Sequence, residues 1–168
     1  MMHKSLIIAG VRWLKSRSSI VFSEFATANN ETPDAIGWRQ DFSTLIECKA
    51  SRSDFLADAK KFYRRYPDMG IGKFRYYLCP SGLLHLEDLP EKWGLLWAHK
   101  RGITIKRPSD YFNHDPGAEI RFLVSMLRRT QVRLGEQPLA DWLRWDGVGK
   151  PGHYENESGA NQKGGRTP

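Results

Sequence analysis

Apolar residues recur along this chain in two rhythms, and each change of rhythm marks an element. Residues 3–15 carry Leu6, Val11 and Leu14 at loosely helical spacing, with Trp13 nearby, which predicts a helix. Residues 19–26 have the β-branched and aromatic composition of a strand. The Asn-containing stretch 27–32 reads as a turn or loop, and two further strands are expected at 34–39 and 43–49. Ser53 can cap a helix over 54–65, with Pro67 as its outer limit. Residues 73–79 predict another strand, stopped by Pro80-Ser81-Gly82, and 94–99 and 102–107 are shorter strands around Arg101-Gly102. A helix over 117–133 would place Ile120, Leu123, Val124 and Leu127 on one face. Residues 138–145 could add a helical turn carrying Trp142 and Trp145. From Gly147 onward there are six glycines in 22 residues and no periodicity. The expected organisation is therefore one domain over 1–146 and a disordered Gly-rich tail over 147–168.

The order is helix, three strands, helix, strand, then smaller strands and a helix. A strand–helix–strand unit following antiparallel strands predicts an α/β fold with a mixed sheet and helices on both faces. The chain's 168 residues, 40% hydrophobic and 12% aromatic, suffice for one core. They exclude a collagen-like or coiled-coil rod and a disulfide-stapled miniprotein. The longest early apolar stretch, Leu6 to Ala9, is too short for a signal-peptide core, and no run approaches a membrane span; a cytoplasmic location is expected. Cys48 and Cys79 lie in apolar runs as buried thiols do, and the five histidines form no ligand pair at helical spacing.

Charge adds a partner class. Lys and Arg outnumber Asp and Glu by 26 to 19, a net charge of +7 with pI near 9.5. A basic chain with a real core commonly meets phosphate polymers, although charge alone fits a merely basic protein equally well. The basic residues cluster. Lys60, Lys61, Arg64, Arg65, Lys73 and Arg75 are interleaved with Phe62, Tyr63 and Tyr66, and a second group is Arg121, Arg128, Arg129 and Arg133. Lys60, Lys61, Arg64 and Arg65 could track a nucleic-acid backbone or simply form a solvated helix face.

The sharpest chemistry lies where two strands meet. If they form a hairpin turning at Gln40-Asp41, paired residue numbers sum to 81 and Asp34 stands opposite Glu47, with Cβ atoms about 4.5–5.5 Å apart. Period-two alternation puts Lys49 on the same face and Cys48 on the other. Two carboxylates that close repel unless a cation intervenes, and Mg²⁺ accepts one or two carboxylates while completing its shell with water and substrate phosphate. Lys49 could polarise a water beside that ion and stabilise charge at phosphorus. Glu-x-Lys alone carries little information, and a cross-strand Glu–Lys pair is an ordinary surface feature. Asp58-Ala59-Lys60 has the same spacing, but on a predicted helix, where i and i+2 do not face each other.

Pro33-Asp34, twelve intervening residues and Glu47-Cys48-Lys49 resemble the signature of the PD-(D/E)xK nuclease superfamily, which has the restriction-endonuclease-like fold. The expected αβββαβ order is similar to that family's core. Ser23-Glu24-Phe25, the run from Glu47 to Lys60, and Gly94-Leu95-Leu96-Trp97-Ala98 resemble the MmcB-like DNA-repair branch. The likeness spans residues 20–107. It departs at Thr32-Pro33, where the branch has a basic pair, at His99, where it has an aspartate, and at Lys61, where it has an aromatic.

This resemblance implies a Mg²⁺- or Mn²⁺-dependent deoxyribonuclease leaving a 5′-phosphate and a 3′-hydroxyl, in DNA repair or processing. Asp34 and Glu47 would be metal ligands, the Cys48 backbone carbonyl would complete the shell, and Lys49 would be the catalytic lysine. Glu24 would be an additional acid, although a simple hairpin through Asn29-Asn30 puts Phe25, not Glu24, opposite Asp34; a one-residue slip reverses this. Arg52 could reach a phosphate or belong to a capped helix start. The partner would be DNA, with RNA as an alternative, and a homodimer is left open. A nucleic-acid-binding protein of the same fold with little or no catalysis is the competing expectation. Gly147-Val148-Gly149-Lys150 lacks the rest of a phosphate-binding loop, and Gly70-Ile71-Gly72 reads as a turn.

Overall fold

The computed structural model describes residues 1–25 and 31–134. The Asn29-Asn30 turn, the 138–145 helical turn, the Gly147–Lys150 stretch and the 147–168 tail all lie outside those residues. Helix α1 (His3–Lys15) is followed by strands β1 (Ile20–Ser23), β2 (Ala35–Arg39) and β3 (Phe42–Cys48). Helices α2 (Arg52–Asp58) and α3 (Phe62–Arg65) and a 3-10 turn at Pro67–Met69 lead to β4 (Phe74–Pro80). Strands β5 (Gly94–His99) and β6 (Gly102–Arg107) and helix α4 (Pro116–Leu134) complete the described chain.

The six strands lie side by side in chain order. β1, β2 and β3 are antiparallel neighbours, β3, β4 and β5 run parallel, and β6 returns antiparallel to β5. The sheet is mixed, as expected. Its central strands are buried on both faces, which is why 94–99 reads as an unbroken apolar run.

Alternation along β3 sorts the two faces. Ile46 and Cys48 pack with Leu6, Ile7 and Leu14 of α1 and with Tyr76, Leu78 and Leu96. Gly10 lets α1 approach the sheet: a Cβ there would stand 3.2 Å from Leu78 Cδ2. On the opposite face Tyr77 stacks on Trp93 at 4.2 Å and meets Phe55 of α2 edge-on, while Phe122 of α4 packs against Phe22 and Trp38. Both cysteines are buried free thiols.

Two local expectations change. The 54–65 helix is broken: α2 is capped by Ser51, whose Oγ accepts from Asp54 N at 3.2 Å, and it ends at Asp58 before α3 begins. Ser51 rather than Ser53 has the extended backbone that a cap requires. Replacing Ser51 by alanine is expected to cost about 1 kcal/mol, read as a lowered urea midpoint at unchanged slope. Helix α4 turns Ala118, Glu119 and Phe122 inward and leaves Ile120 60% exposed, because the buried Glu119 carboxylate accepts from Ser43 Oγ, Trp38 Nε1 and Gly72 N. A polar anchor overrides the apolar face.

Met1–Leu123 form one compact unit, and a second begins at Val124. The described part of the second is the end of α4, where Thr130 Oγ1 donates to Met126 O at 3.0 Å. Among the described residues no helix is long and apolar enough to cross a membrane.

Candidate active site

The β2–β3 hairpin turns at Gln40-Asp41, with Gln40 in the left-handed region at φ 54°, and pairs Ala35 with Ile46. That is the register in which numbers sum to 81. One step beyond this pair stand Asp34 and Glu47. Asp34 Oδ2 accepts from the Cys48 backbone N–H at 2.7 Å, so its carboxylate is fastened to the end of β3. Its Oδ1 lies 3.2 Å from His3 Nε2 at the start of α1. Burial raises the Asp34 pKa and the Glu47 charge raises it further, against the lowering effects of the Cys48 N–H and His3. The two acids therefore interact, but their surroundings differ. Asp34 sits at the strand end beside α1, whereas Glu47 points beneath α3 and is 3% exposed.

Around Glu47 the structure assembles an ionic network. Lys49 Nζ lies 3.6 Å from Glu47 Oε2 and 3.0 Å from Asp58 Oδ1. Arg64 donates from Nη2 to Glu47 Oε1 at 3.0 Å and from Nε to Asp58 Oδ2 at 2.6 Å. Lys61 Nζ approaches Asp58 Oδ1 at 2.7 Å and Glu47 Oε2 at 3.5 Å, and Tyr77 OH donates to Asp58 Oδ2 at 2.8 Å. Asp58 is thus a buried hub. Burial alone would raise its pKa, but Arg64, Lys61 and Lys49 overturn that and hold it well below the usual carboxylate range. The break between α2 and α3 allows this, because it lets Lys61 and Arg64 fold back over the residue that ends α2.

In front of Glu47 opens a cavity of about 570 Å³ lined by Glu31, Thr32, Glu47, Lys61, Phe62, Tyr63 and Arg64. Asp34 and Lys49 do not line it. Glu31 is 6% exposed; its Oε2 accepts from Ile71 N at 2.9 Å and its Oε1 has no hydrogen-bond partner. Burial raises the Glu31 pKa despite the Ile71 N–H and the charges of Arg64 and Arg75. The Gly70-Ile71-Gly72 turn serves this acid through the Ile71 amide, with Gly72 at φ 94°.

The other expected site residues are dispersed. Glu24 N donates to Asp34 O at 3.2 Å, so the one-residue slip is present. Its φ of 51° interrupts the strand, however, and its side chain is exposed, outside the network of Asp34, Glu47, Lys49 and Asp58. Arg52 is held by Asp88 through Nη1 at 2.9 Å and Nη2 at 2.6 Å, an exposed bidentate pair. Lys60 and Arg65 are exposed, and the Lys61 side chain is half exposed. Arg64 departs from the solvated-face expectation: its side chain is 5% exposed and lies over the Trp93 ring, drawn inward by Glu47 and Asp58.

His3, Glu31, Asp58 and Tyr77 were not singled out by pattern. Asp58 carried a signal, its spacing to Lys60, but its true partner is Lys49. Among the described residues no three His, Cys, Asp or Glu side chains form a ready-made metal cage. Asp34 and Glu47 supply hard carboxylate oxygens and raise each other's cost of ionisation, a donor set that fits a two-carboxylate ion sharing its shell with a phosphate.

No family model matches the chain, and no curated protein is significantly similar to it. A solved structure, the SPO1766 protein of unknown function from Silicibacter pomeroyi, is similar at TM-score 0.60 and 25% identity over 80% of this chain and 93% of that one. The likeness concerns the α/β architecture just described.

Proposed function

We propose that this chain is a metal-dependent nuclease of restriction-endonuclease-like fold that hydrolyses DNA phosphodiester bonds. The observation that carries the reading is the hairpin register ending at Ala35 and Ile46, beyond which Asp34 and Glu47 interact at one end of β3, with Lys49 beside Glu47. Asp34 and Glu47 would hold Mg²⁺ or Mn²⁺, with the Cys48 backbone carbonyl as a further oxygen donor. When bound, the ion would supply Lewis acidity toward the phosphate and an activated water.

The chain's own groups account for the rest. The Cys48 N–H and His3 orient Asp34, so the carboxylate need not be ordered when substrate arrives. The Lys49 ammonium, fixed between Glu47 and Asp58, keeps positive potential where charge grows at phosphorus. Lys61, half exposed above Glu47, can exchange a carboxylate for a phosphate oxygen. Exposed Lys60 and Arg65 extend the basic surface. This reading places the chain in the cytoplasm, in DNA repair or processing.

One observation favours a second reading, a DNA-binding protein with little catalysis: Arg64 and Lys61 already neutralise Glu47. Purified protein incubated with plasmid, linear and branched DNA, with Mg²⁺ or Mn²⁺, separates the two. The nuclease reading expects nicking or trimming that stops with EDTA and on Lys49→Ala. Salt-sensitive binding without cleavage on every substrate would favour the second reading.

A further inference from the structure

The cavity under α3 has a composition that phosphate chemistry does not require. Its floor holds the Glu31 carboxylate, 6% exposed, with Oε2 committed to the Ile71 N–H and Oε1 lacking any hydrogen-bond partner. The cation nearest Oε1 is Arg64 Nη1, which stands off at 3.9 Å while its other nitrogens serve Glu47 and Asp58. Gly70 seats the carboxylate closely: a Cβ at that position would lie 3.1 Å from Oε2 and 3.4 Å from Oε1. A buried acceptor oxygen without a donor is costly, and a ligand that brings an N–H removes the cost.

The walls narrow the choice. A second metal ion is disfavoured because the Arg64 guanidinium already lies between Glu31 and Glu47. At the rim Phe62 is 50% exposed and Tyr66 55% exposed, with ring centroids 4.9 Å apart, and Lys61 is half exposed. Flat apolar rings, a cation and a buried acceptor together match one chemistry: a planar heterocycle bearing an amino group, attached to a phosphate. The volume of about 570 Å³ accommodates a base with its sugar. A base inside an intact duplex cannot enter, because its Watson–Crick edge is occupied and its faces are stacked.

We propose that this cavity receives a single unpaired nucleobase carrying an exocyclic amine, such as cytosine, whose N–H donates to Glu31 Oε1. The inference rests on the nucleic-acid reading above and deepens it: the substrate class becomes single-stranded or locally opened DNA. Stacking on Phe62 and Tyr66 gives affinity for any base, and Glu31 gives the preference among bases.

Glu31→Gln supplies a sharp test. The Ile71 N–H needs an acceptor, so the amide oxygen takes the place of Oε2 and the amide nitrogen replaces Oε1. An acceptor becomes a donor at constant size. The measurement is fluorescence anisotropy of full-length protein, in EDTA at fixed low salt, against labelled oligodeoxycytidylate, oligothymidylate and a duplex. The wild type should bind the cytosine strand about tenfold more tightly than the thymine strand, the worth of one hydrogen bond to a charged group. In Glu31→Gln that ratio should fall to unity or invert, because thymine offers O4 to the new donor. Phe62→Ala, at an exposed position, should weaken both strands alike.

Equal wild-type affinity for the two strands, tighter binding to duplex, or an unchanged ratio in Glu31→Gln would overturn the proposal. If Glu31→Gln fails to fold, the wild-type ratio and the parallel loss in Phe62→Ala still decide the matter. A protein that cuts DNA but ignores base identity sinks the pocket and spares the nuclease. One that prefers cytosine strands without cutting does the reverse.

Discussion

Replacing Asp58 by asparagine is expected to destabilise the protein by about 3–5 kcal/mol, the usual cost of removing one partner from a buried ionic network. The side chain has zero exposure and every group facing it is a donor: Lys49 and Lys61 on Oδ1, Arg64 and Tyr77 on Oδ2. Whichever way an asparagine is turned, its NH₂ meets two donors, while Lys49 and Arg64, themselves nearly buried, lose their counter-charge. The effect should depend on pH. Asp58 is held below its ordinary pKa, so its contribution is complete above the unfolded value of about 3.9 and is lost as pH falls through the depressed folded value. Urea titrations at neutral and acid pH should therefore show the wild type and Asp58→Asn converging in acid. A neutral-pH difference below about 1 kcal/mol, the size of one ordinary hydrogen bond, would mean that the network is not a structural keystone.

The same residue marks the limit of what sequence reveals. The hairpin register was legible because a two-residue turn fixes which residues oppose each other, so Asp34 and Glu47 could be placed at one strand end before any coordinates. The helix argument about Asp58 and Lys60 was sound as local geometry, since Lys60 is indeed exposed. It had no access to Lys49, nine residues earlier, because that contact depends on where α2 lands on the sheet. Glu31 reads as a polar loop residue beside two asparagines, yet the β4 approach buries it and the Ile71 amide satisfies half of it. His3 likewise becomes relevant only once α1 packs across the hairpin. Glu24 shows the opposite case: the slip that would bring it opposite Asp34 is present, but a left-handed backbone at that residue ends the alternation on which its role depended.

The second large effect separates chemistry from stability at one atom pair. Asp34→Asn should reduce metal-dependent cleavage by more than about 100-fold, since groups that merely orient a metal ligand are typically worth 10–100-fold. The fold should not suffer. An asparagine oxygen can still accept from the Cys48 N–H, which holds this position at 2.7 Å. The sign of the electrostatic change is favourable as well. Burial and Glu47 raise the Asp34 pKa, so its contribution to stability is fullest below the unfolded value and is lost as pH rises through the folded one. Above that window the ionised carboxylate is a liability, and the neutral amide removes it. Thermal melts at neutral pH without metal should therefore give Asp34→Asn a midpoint equal to or above that of the wild type. Added Mn²⁺ should raise the wild-type midpoint and leave the variant's unchanged, because an ion that binds only the folded state stabilises it by mass action. Undiminished cleavage in Asp34→Asn would remove this acid from the reaction. A Mn²⁺ shift of equal size in both proteins would move the ion elsewhere. The combination of lost cleavage, intact fold and lost metal response is what a ligand role at the end of β3 requires, and a purely structural carboxylate would not produce it.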